Sequence, residues 1–201
     1  MAKILSGARA GLGRVLDPTA RALLRSGISP DAVTIAGTLG VVVAAAGFAA
    51  RGEIFIATMI ATVSCLSDLI DGAMARQRGT ASRFGAFLDS TMDRVADGAI
   101  FSSLAYWAGT TGQRWSMLAA LLCLVFSQVI SYVKARAEGL GLKCDVGLVE
   151  RPERLLGIGV GGLLHAFGVP HGMAVVLWVL AVLSLVTVVQ RILHVRRQAA
   201  T

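Results

Sequence analysis

Four aspartates interrupt two apolar stretches of the chain at fixed intervals: Asp68 and Asp71, then Asp89 and Asp93. The run reads Asp68-x2-Asp71-Gly72-x2-Ala75-Arg76, then eight residues, then Gly85-x3-Asp89-x3-Asp93. Helical geometry accounts for the intervals. Positions 68, 71, 72 and 75 share one face of a helix, and 85, 89 and 93 share one face of the next. Packed together, two such faces converge four carboxylates on one spot. So many anions do not stay ionised together without cations, and carboxylate oxygens suit hard divalent metals, magnesium first. Acids at membrane depth are costly and mark sites that handle ions, protons or substrate. The bland alternative is a water-filled cavity or a set of polar helix contacts with no chemistry.

The elements that must carry these acids are read from composition. The chain has 201 residues, 55% hydrophobic and 15% charged, which is the balance of an integral membrane protein. A spanning helix needs about 20 mostly apolar residues. Six stretches qualify, at 31–50, 53–75, 83–109, 115–137, 154–169 and 172–193, the second and third carrying the aspartates. The fifth is short and gains length by reaching back through Glu150-Arg151-Pro152-Glu153-Arg154. Ahead of them, Leu5, Ala8, Leu12, Leu16 and Leu23 recur at near-helical spacing, with Lys3, Arg14, Arg21 and Arg25 elsewhere around the wheel. That is the pattern of a helix lying in the membrane interface. Gly27 is its expected stop, and Ser29-Pro30 the start of the first span. The expected fold is all-α: one domain over 1–201, an interfacial amphipathic helix at 1–27, and a six-helix transmembrane core at 28–195. No cleavable signal peptide is expected, because no long apolar core precedes residue 32.

Basic residues orient the bundle. Sixteen Lys and Arg fall on the side holding both termini and the 76–83 and 138–153 loops, against Arg51 and Arg114 on the other. That side is expected to be cytoplasmic, which puts the acidic cluster at the cytoplasmic ends of spans two and three of a multi-pass cell-membrane protein. The net charge of +7 then reflects this bias and attraction to anionic lipid, and no nucleic-acid partner is expected. Cys65, Cys123 and Cys144 match no zinc spacing and are taken as packing residues; His165, His171 and His194 are scattered and receive no catalytic role. Gly157-x3-Gly161, with Gly159 and Gly162 nearby, permits close helix contact, within the bundle or across a dimer.

The aspartate pattern, with all eight of its fixed positions met, is the signature of the CDP-alcohol phosphotransferase family, and the chain resembles that family over most of residues 5–195. The resemblance implies that Asp68, Asp71, Asp89 and Asp93 hold two magnesium ions, with manganese the alternative, and that Asp93 also accepts the proton of the incoming alcohol. It implies a CDP-linked lipid pocket lined by Asp31, Thr34, Gly72, Arg76, Ser82 and Gly85. Bland readings stand beside these. Asp31 and Thr34 suit helix capping, Gly72 suits helix packing, Arg76 suits the positive-inside bias, and Gly85 suits close approach of spans two and three. Family members are typically homodimers, so a homodimer is expected.

The acceptor is read from Ser127-Gln128-x2-Ser131-Tyr132-x-Lys134-Ala135-Arg136-Ala137-Glu138 and from residues 150–154, which resemble the bacterial members that make phosphatidylinositol phosphate. That implies transfer of diacylglyceryl phosphate from CDP-diacylglycerol to inositol 1-phosphate, with CMP released. Ser131 and Lys134, with Arg154 and Arg191, are the candidate pocket for the acceptor's phosphate. Guanidinium forks suit a phosphate monoester, and a neutral acceptor would not call for so much cation. Arg196 and Arg197 suit snorkelling at the interface instead. Two other readings remain open. One is phosphatidylglycerophosphate synthesis with glycerol 3-phosphate. The other is a divalent-cation transporter, against which stand the lack of an inverted repeat and the position of the acids beside an arginine-bearing loop.

Overall fold

Gly27 and Ser29-Pro30 punctuate the chain as the sequence predicts. In the computed structural model, which describes residues 16–65, 67–79 and 82–199, the first helix, α1, runs over 16–25. Residues 1–15 of the expected interfacial helix lie outside the described residues, as do the side chains of Cys65 and Asp68. Gly27, at φ 79°, ends α1, its N–H bonding Leu24 O while the Ile28 N–H bonds Leu23 O, each at 3.1 Å. This paired closure needs a left-handed residue, which glycine adopts without strain. Ser29 Oγ then accepts the Ala32 N–H at 3.2 Å and opens α2, Pro30–Gly47.

The chain continues through a 3-10 turn at Ala49–Arg51, α3 Ile54–Cys65, α4 Ser67–Arg78, α5 Arg83–Thr110, α6 Arg114–Gly139, α7 Arg151–Ala166 and α8 Gly172–Ala199. Among the described residues every regular element is helical. Also among the described residues, four stretches are long and apolar enough to cross a membrane: Pro30–Arg51, Ile54–Arg78, Arg114–Gly139 and Gly172–Ala199. The other two expected spans differ for physical reasons. α5 has 28 residues but carries Asp89, Asp93, Arg94 and Asp97, and α7 has only 16 residues. α7 does begin at Arg151, and a capping box fixes its start: the Glu150 N–H bonds Glu153 Oε2 at 2.9 Å, with Pro152 in the first turn. Leu39, Val43, Val63, Val125, Val179 and Val182 are all exposed, as lipid-facing residues of such helices must be.

Two compact units divide the chain, the first extending to Val42 and including Ile60–Ala96, the second including Val43–Met59 and Asp97 onward. In the first, the face of α1 that carries Leu16, Ala20 and Leu23 packs on Ile70, Ala73 and Met74 of α4. The apolar stripe anticipated for a membrane interface is therefore used, over its described part, to support the helix bearing Asp68 and Asp71. Gln77 Nε2 adds hydrogen bonds of 3.2 Å to the Asp17 carbonyl and carboxylate. Gly37 and Gly40 let α2 approach Ser67 and Ser64, whose side chains fill the places their Cβ atoms would take.

In the second unit α8 is the hub. Leu177, Ala181, Ser184 and Thr187 are fully or nearly fully buried along it. A Cβ added at Gly157 of α7 would lie 3.0 Å from Leu180 Cδ2, and one at Gly161 would lie 2.9 Å from Met173 Sδ. At Gly162 it would run into the Thr58 side chain. The small-residue face of α7 thus packs inside the unit. His165 meets the Trp107 ring edge-on, with centroids 5.1 Å apart, and Cys123 is buried with Sγ 3.3 Å from Leu177 O. Overpacking at Gly162 is therefore costly. Gly162→Val should lower stability by about 1–3 kcal/mol, read as a lower unfolding temperature in detergent. Wild-type stability in that variant would show that α7 and Thr58 are not in rigid contact.

Candidate active site

The first unit holds the aspartate motif. α4 carries Asp68, Asp71, Gly72 and Arg76; α5 carries Gly85, Asp89 and Asp93; α2 carries Asp31 and Thr34. Asp71 is buried, and the Thr34 hydroxyl donates to its Oδ2 at 2.5 Å. That hydrogen bond spans 37 residues of sequence and fixes one carboxylate oxygen. Asp89 is exposed and Asp93 half-buried, with the Arg94 guanidinium 3.4 Å from Asp93 Oδ2. Among the described side chains, which leave out that of Asp68, no three His, Cys, Asp or Glu form a metal-holding group.

Two glycines now have distinct reasons. Among the described side chains, which leave out that of Asp68, a Cβ on Gly72 would meet nothing except Arg76 Nη1, at 3.4 Å. No packing contact among them demands a glycine there, and the Arg76 guanidinium lies beside the open spot. At Gly85 the neighbours are Ser82 Oγ, 2.9 Å from an added Cβ, and Asp31 Oδ1, 3.4 Å away. Among the described residues these contacts do not involve span two; Gly85 instead makes room for Ser82 Oγ, with the Asp31 carboxylate of α2 at ordinary contact distance. Ser82 also has a local task, since its Oγ accepts the Gly85 N–H at 2.7 Å and caps α5.

The second unit holds the candidate acceptor residues, together with one acid that the motif reading passed over. Asp97, four residues beyond Asp93, is 1% exposed, and its Oδ2 takes the Arg154 Nη2 donor at 2.6 Å. Its other oxygen lies 3.7 Å from Arg151 Nε. Arg154 is 2% exposed. Its Nε is buried with no hydrogen-bond acceptor. Arg191, 3% exposed, donates from Nε to Val146 O, from Nη1 to Ile130 O and from Nη2 to Glu150 Oε1, each at 2.8 Å. It ties the 146–150 segment to α6. Ser131 Oγ donates to Ser127 O at 3.0 Å. Lys134 Nζ reaches Asp145 Oδ1 at 2.8 Å and Glu138 Oε1 at 3.9 Å. The hydrogen bond and charge of Lys134 hold the exposed Asp145 carboxyl below the ordinary range.

The helical fold, the intact aspartate set and its supporting contacts define a class. The CDP-alcohol phosphatidyltransferase family model matches residues 27–195, and the chain belongs to that family. Within it, the chain is 52% identical to the phosphatidylinositol phosphate synthase of Streptomyces avermitilis, covering 96% of this chain and 82% of that one. It is 50% identical to the synthase of the same name from Mycobacteroides abscessus, covering 94% and 86%. The solved structure of the Mycobacterium tuberculosis phosphatidylinositol phosphate synthase with CDP-DAG bound superposes with a TM-score of 0.87 at 46% identity, covering 90% of this chain and 94% of that one. The same enzyme in complex with manganese and citrate gives 0.85 at 45% identity, covering 90% and 88%.

Asp97 is the most exacting position in the second unit, because removing it leaves Arg154 buried without its counter-ion. Asp97→Asn should cost about 3–5 kcal/mol. The double change Asp97→Leu with Arg154→Met should cost much less. Equal unfolding temperatures for the single and double variants would contradict the ion pair as the source of the loss.

Proposed function

We propose that this chain transfers the diacylglyceryl phosphate of CDP-diacylglycerol to inositol 1-phosphate, giving phosphatidylinositol phosphate and CMP. The observation that carries the reading is the identity of 45–52% to synthases of that name over nearly the whole chain. The intact set of motif aspartates accompanies it. The chemistry belongs to Asp68, Asp71, Asp89 and Asp93, an all-carboxylate set of the hard oxygen type that magnesium or manganese prefers. Thr34 fits this role, because its hydroxyl occupies one lone pair of Asp71 and turns the rest of the carboxylate toward a ligand. Two bound ions would neutralise the phosphate oxygens and the leaving CMP.

The remaining work falls to the chain. Asp93 accepts the proton of the acceptor hydroxyl as its oxygen attacks the β-phosphorus. The bond from that phosphorus to the bridging oxygen breaks, and CMP leaves with it. Gly72 leaves the α4 backbone open to the nucleotide, Arg76 and Ser82 hold the diphosphate, and Asp31 and Gly85 complete that pocket. Ser131, Lys134 and Arg154 bind the acceptor's phosphate, and Arg191 sets the segment beside them. Lys134 can exchange Asp145 for phosphate at little expense, since an exposed pair is worth only about 0–1 kcal/mol. The same reading makes the protein a single-domain homodimer with six spans, an interfacial N-terminal helix, and both termini and the active site on the cytoplasmic face of the cell membrane.

Purified protein given CDP-diacylglycerol and magnesium should release CMP with inositol 1-phosphate, and not with glycerol 3-phosphate or free inositol. Asp93→Asn should lower that rate by about 10²–10⁴-fold. Release with glycerol 3-phosphate alone would keep the mechanism and overturn the acceptor. Gly72→Ala gives a second test. The change should leave the unfolding temperature unchanged or raised, because alanine favours a helix over glycine by about 1 kcal/mol. It should nonetheless raise KM for CDP-diacylglycerol. Wild-type kinetics in that variant would remove Gly72 from the nucleotide pocket.

A further inference from the structure

The segment between α6 and α7 is held against α8 at three levels. Thr187 Oγ1 accepts the Val149 N–H at 3.1 Å, and Arg191 Nε donates to Val146 O at 2.8 Å. Gln198 pairs with the Lys143 backbone, accepting its N–H at 3.1 Å and donating to its carbonyl at 2.6 Å. On the neighbouring face of α8 these anchors leave a cleft of about 330 Å³. It is lined by Val146, Gly147 and Leu148 on one side and by Gln190, Leu193, His194 and Arg197 on the other. The walls are therefore fixed by hydrogen bonds that do not involve the lining side chains.

The lining has unmet chemistry. Gln190 Oε1 is buried and accepts no hydrogen bond. Such an acceptor is costly to leave unpaired and calls for a donor. Among the described residues the side chains of His194 and Arg197 have no ion-pair or hydrogen-bond partner. Arg197 brings a permanent positive charge and a fork of donors that suits phosphate. Leu148 and Leu193 are exposed apolar walls, and Val189 and Ile192 continue an exposed apolar surface along α8. An occupant must thus supply an anion and a hydrogen-bond donor, and any apolar portion it carries finds a surface beside them.

We infer that this cleft binds a phosphate ester that carries a hydroxyl group. Hydroxylated anionic phospholipids have that chemistry, and so do free phosphorylated polyols. The phosphate meets Arg197 and His194, the hydroxyl donates to Gln190 Oε1, and an acyl chain of the lipid form follows the exposed face of α8. None of the three polar residues belongs to the set proposed for catalysis or substrate binding, so the inference stands apart from the acceptor assignment.

The test uses the full chain in a neutral detergent, with lipid titrations followed by native mass spectrometry. The probes are dioleoyl phosphatidylglycerol, dioleoyl phosphatidylmethanol, which has the same charge but no hydroxyl, and dioleoyl phosphatidylcholine. Wild type should bind phosphatidylglycerol about tenfold more tightly than phosphatidylcholine. The double variant His194→Gln, Arg197→Gln should lose that advantage. Gln190→Leu should erase the preference for phosphatidylglycerol over phosphatidylmethanol while keeping the charge preference. Leu148→Glu, on the facing wall, should weaken both anionic lipids and serves if the double variant does not fold. Glycerol 3-phosphate that displaces phosphatidylglycerol from wild type identifies the soluble ester as an occupant; failure to displace identifies the lipid. Equal binding of all three lipids by wild type overturns the site, as does wild-type binding by both the double variant and Leu148→Glu. CMP release from the same preparations reports separately on the transferase.

Discussion

A charge placed in a helix of bilayer length must meet a partner from the protein, and that requirement organises the polar positions of this fold. Asp97 and Arg154 are each at most 2% exposed and lie 2.6 Å apart. Arg191, almost as deeply buried, spends its donors on two carbonyls and one carboxylate from three places in the chain. Asp71 takes the Thr34 hydroxyl. None of these contacts need add much net stability, because desolvation offsets much of the attraction. Their weight lies in the expense of losing one partner alone. That expense specifies which helix faces meet, in helices whose apolar faces would otherwise pack in several registers.

Exposure then separates the cations by what they can do. Arg154 and Arg191 are fixed, and moving either would strand a buried acid or open carbonyls. Lys134 is different: its side chain is about one-third exposed and its ammonium is bound to an exposed Asp145. An exposed pair of this kind exchanges partners readily, whereas a buried one does not. Arg76 and Arg197 are exposed too, and each stands beside an open space, Arg76 over Gly72 and Arg197 at the cleft on α8. The buried pair holds the frame, and the exposed cations can change partners without disturbing it.

How much of this was legible in the sequence depends on how local the cause is. The stop at Gly27 and the start at Ser29-Pro30 follow from turn chemistry within a few residues, and the structure has both. The aspartate faces follow from spacing along two helices. Asp97 continues the same four-residue interval, so the spacing signal was present, but its partner Arg154 lies 57 residues away and nothing local announces it. Arg191 was legible as a cation and not as a clamp, since Ile130 and Val146 contribute only backbone carbonyls, which any residue supplies. Hydropathy also blurs α5 and α7, because charge on the one and brevity of the other weaken the signal of a span. The role of α1 was half legible: its apolar stripe is real, yet a stripe does not say whether lipid or α4 covers it.

Glycines make the same point in reverse. In α2 and α7, Gly37, Gly40, Gly157, Gly161 and Gly162 each have a neighbour where a Cβ would stand, so helix contact alone explains them. Gly72 sits in the middle of α4 and, among the described side chains, has no such neighbour apart from the movable tip of Arg76. A helix-interior glycine without a packing reason costs about 1 kcal/mol relative to alanine. It also stands between Asp71, whose orientation Thr34 fixes, and Arg76, whose guanidinium lies over it. The nucleotide pocket proposed above gives that opening a use, between an acid suited to metal and a cation suited to phosphate, at the expense of some of the helix's own stability.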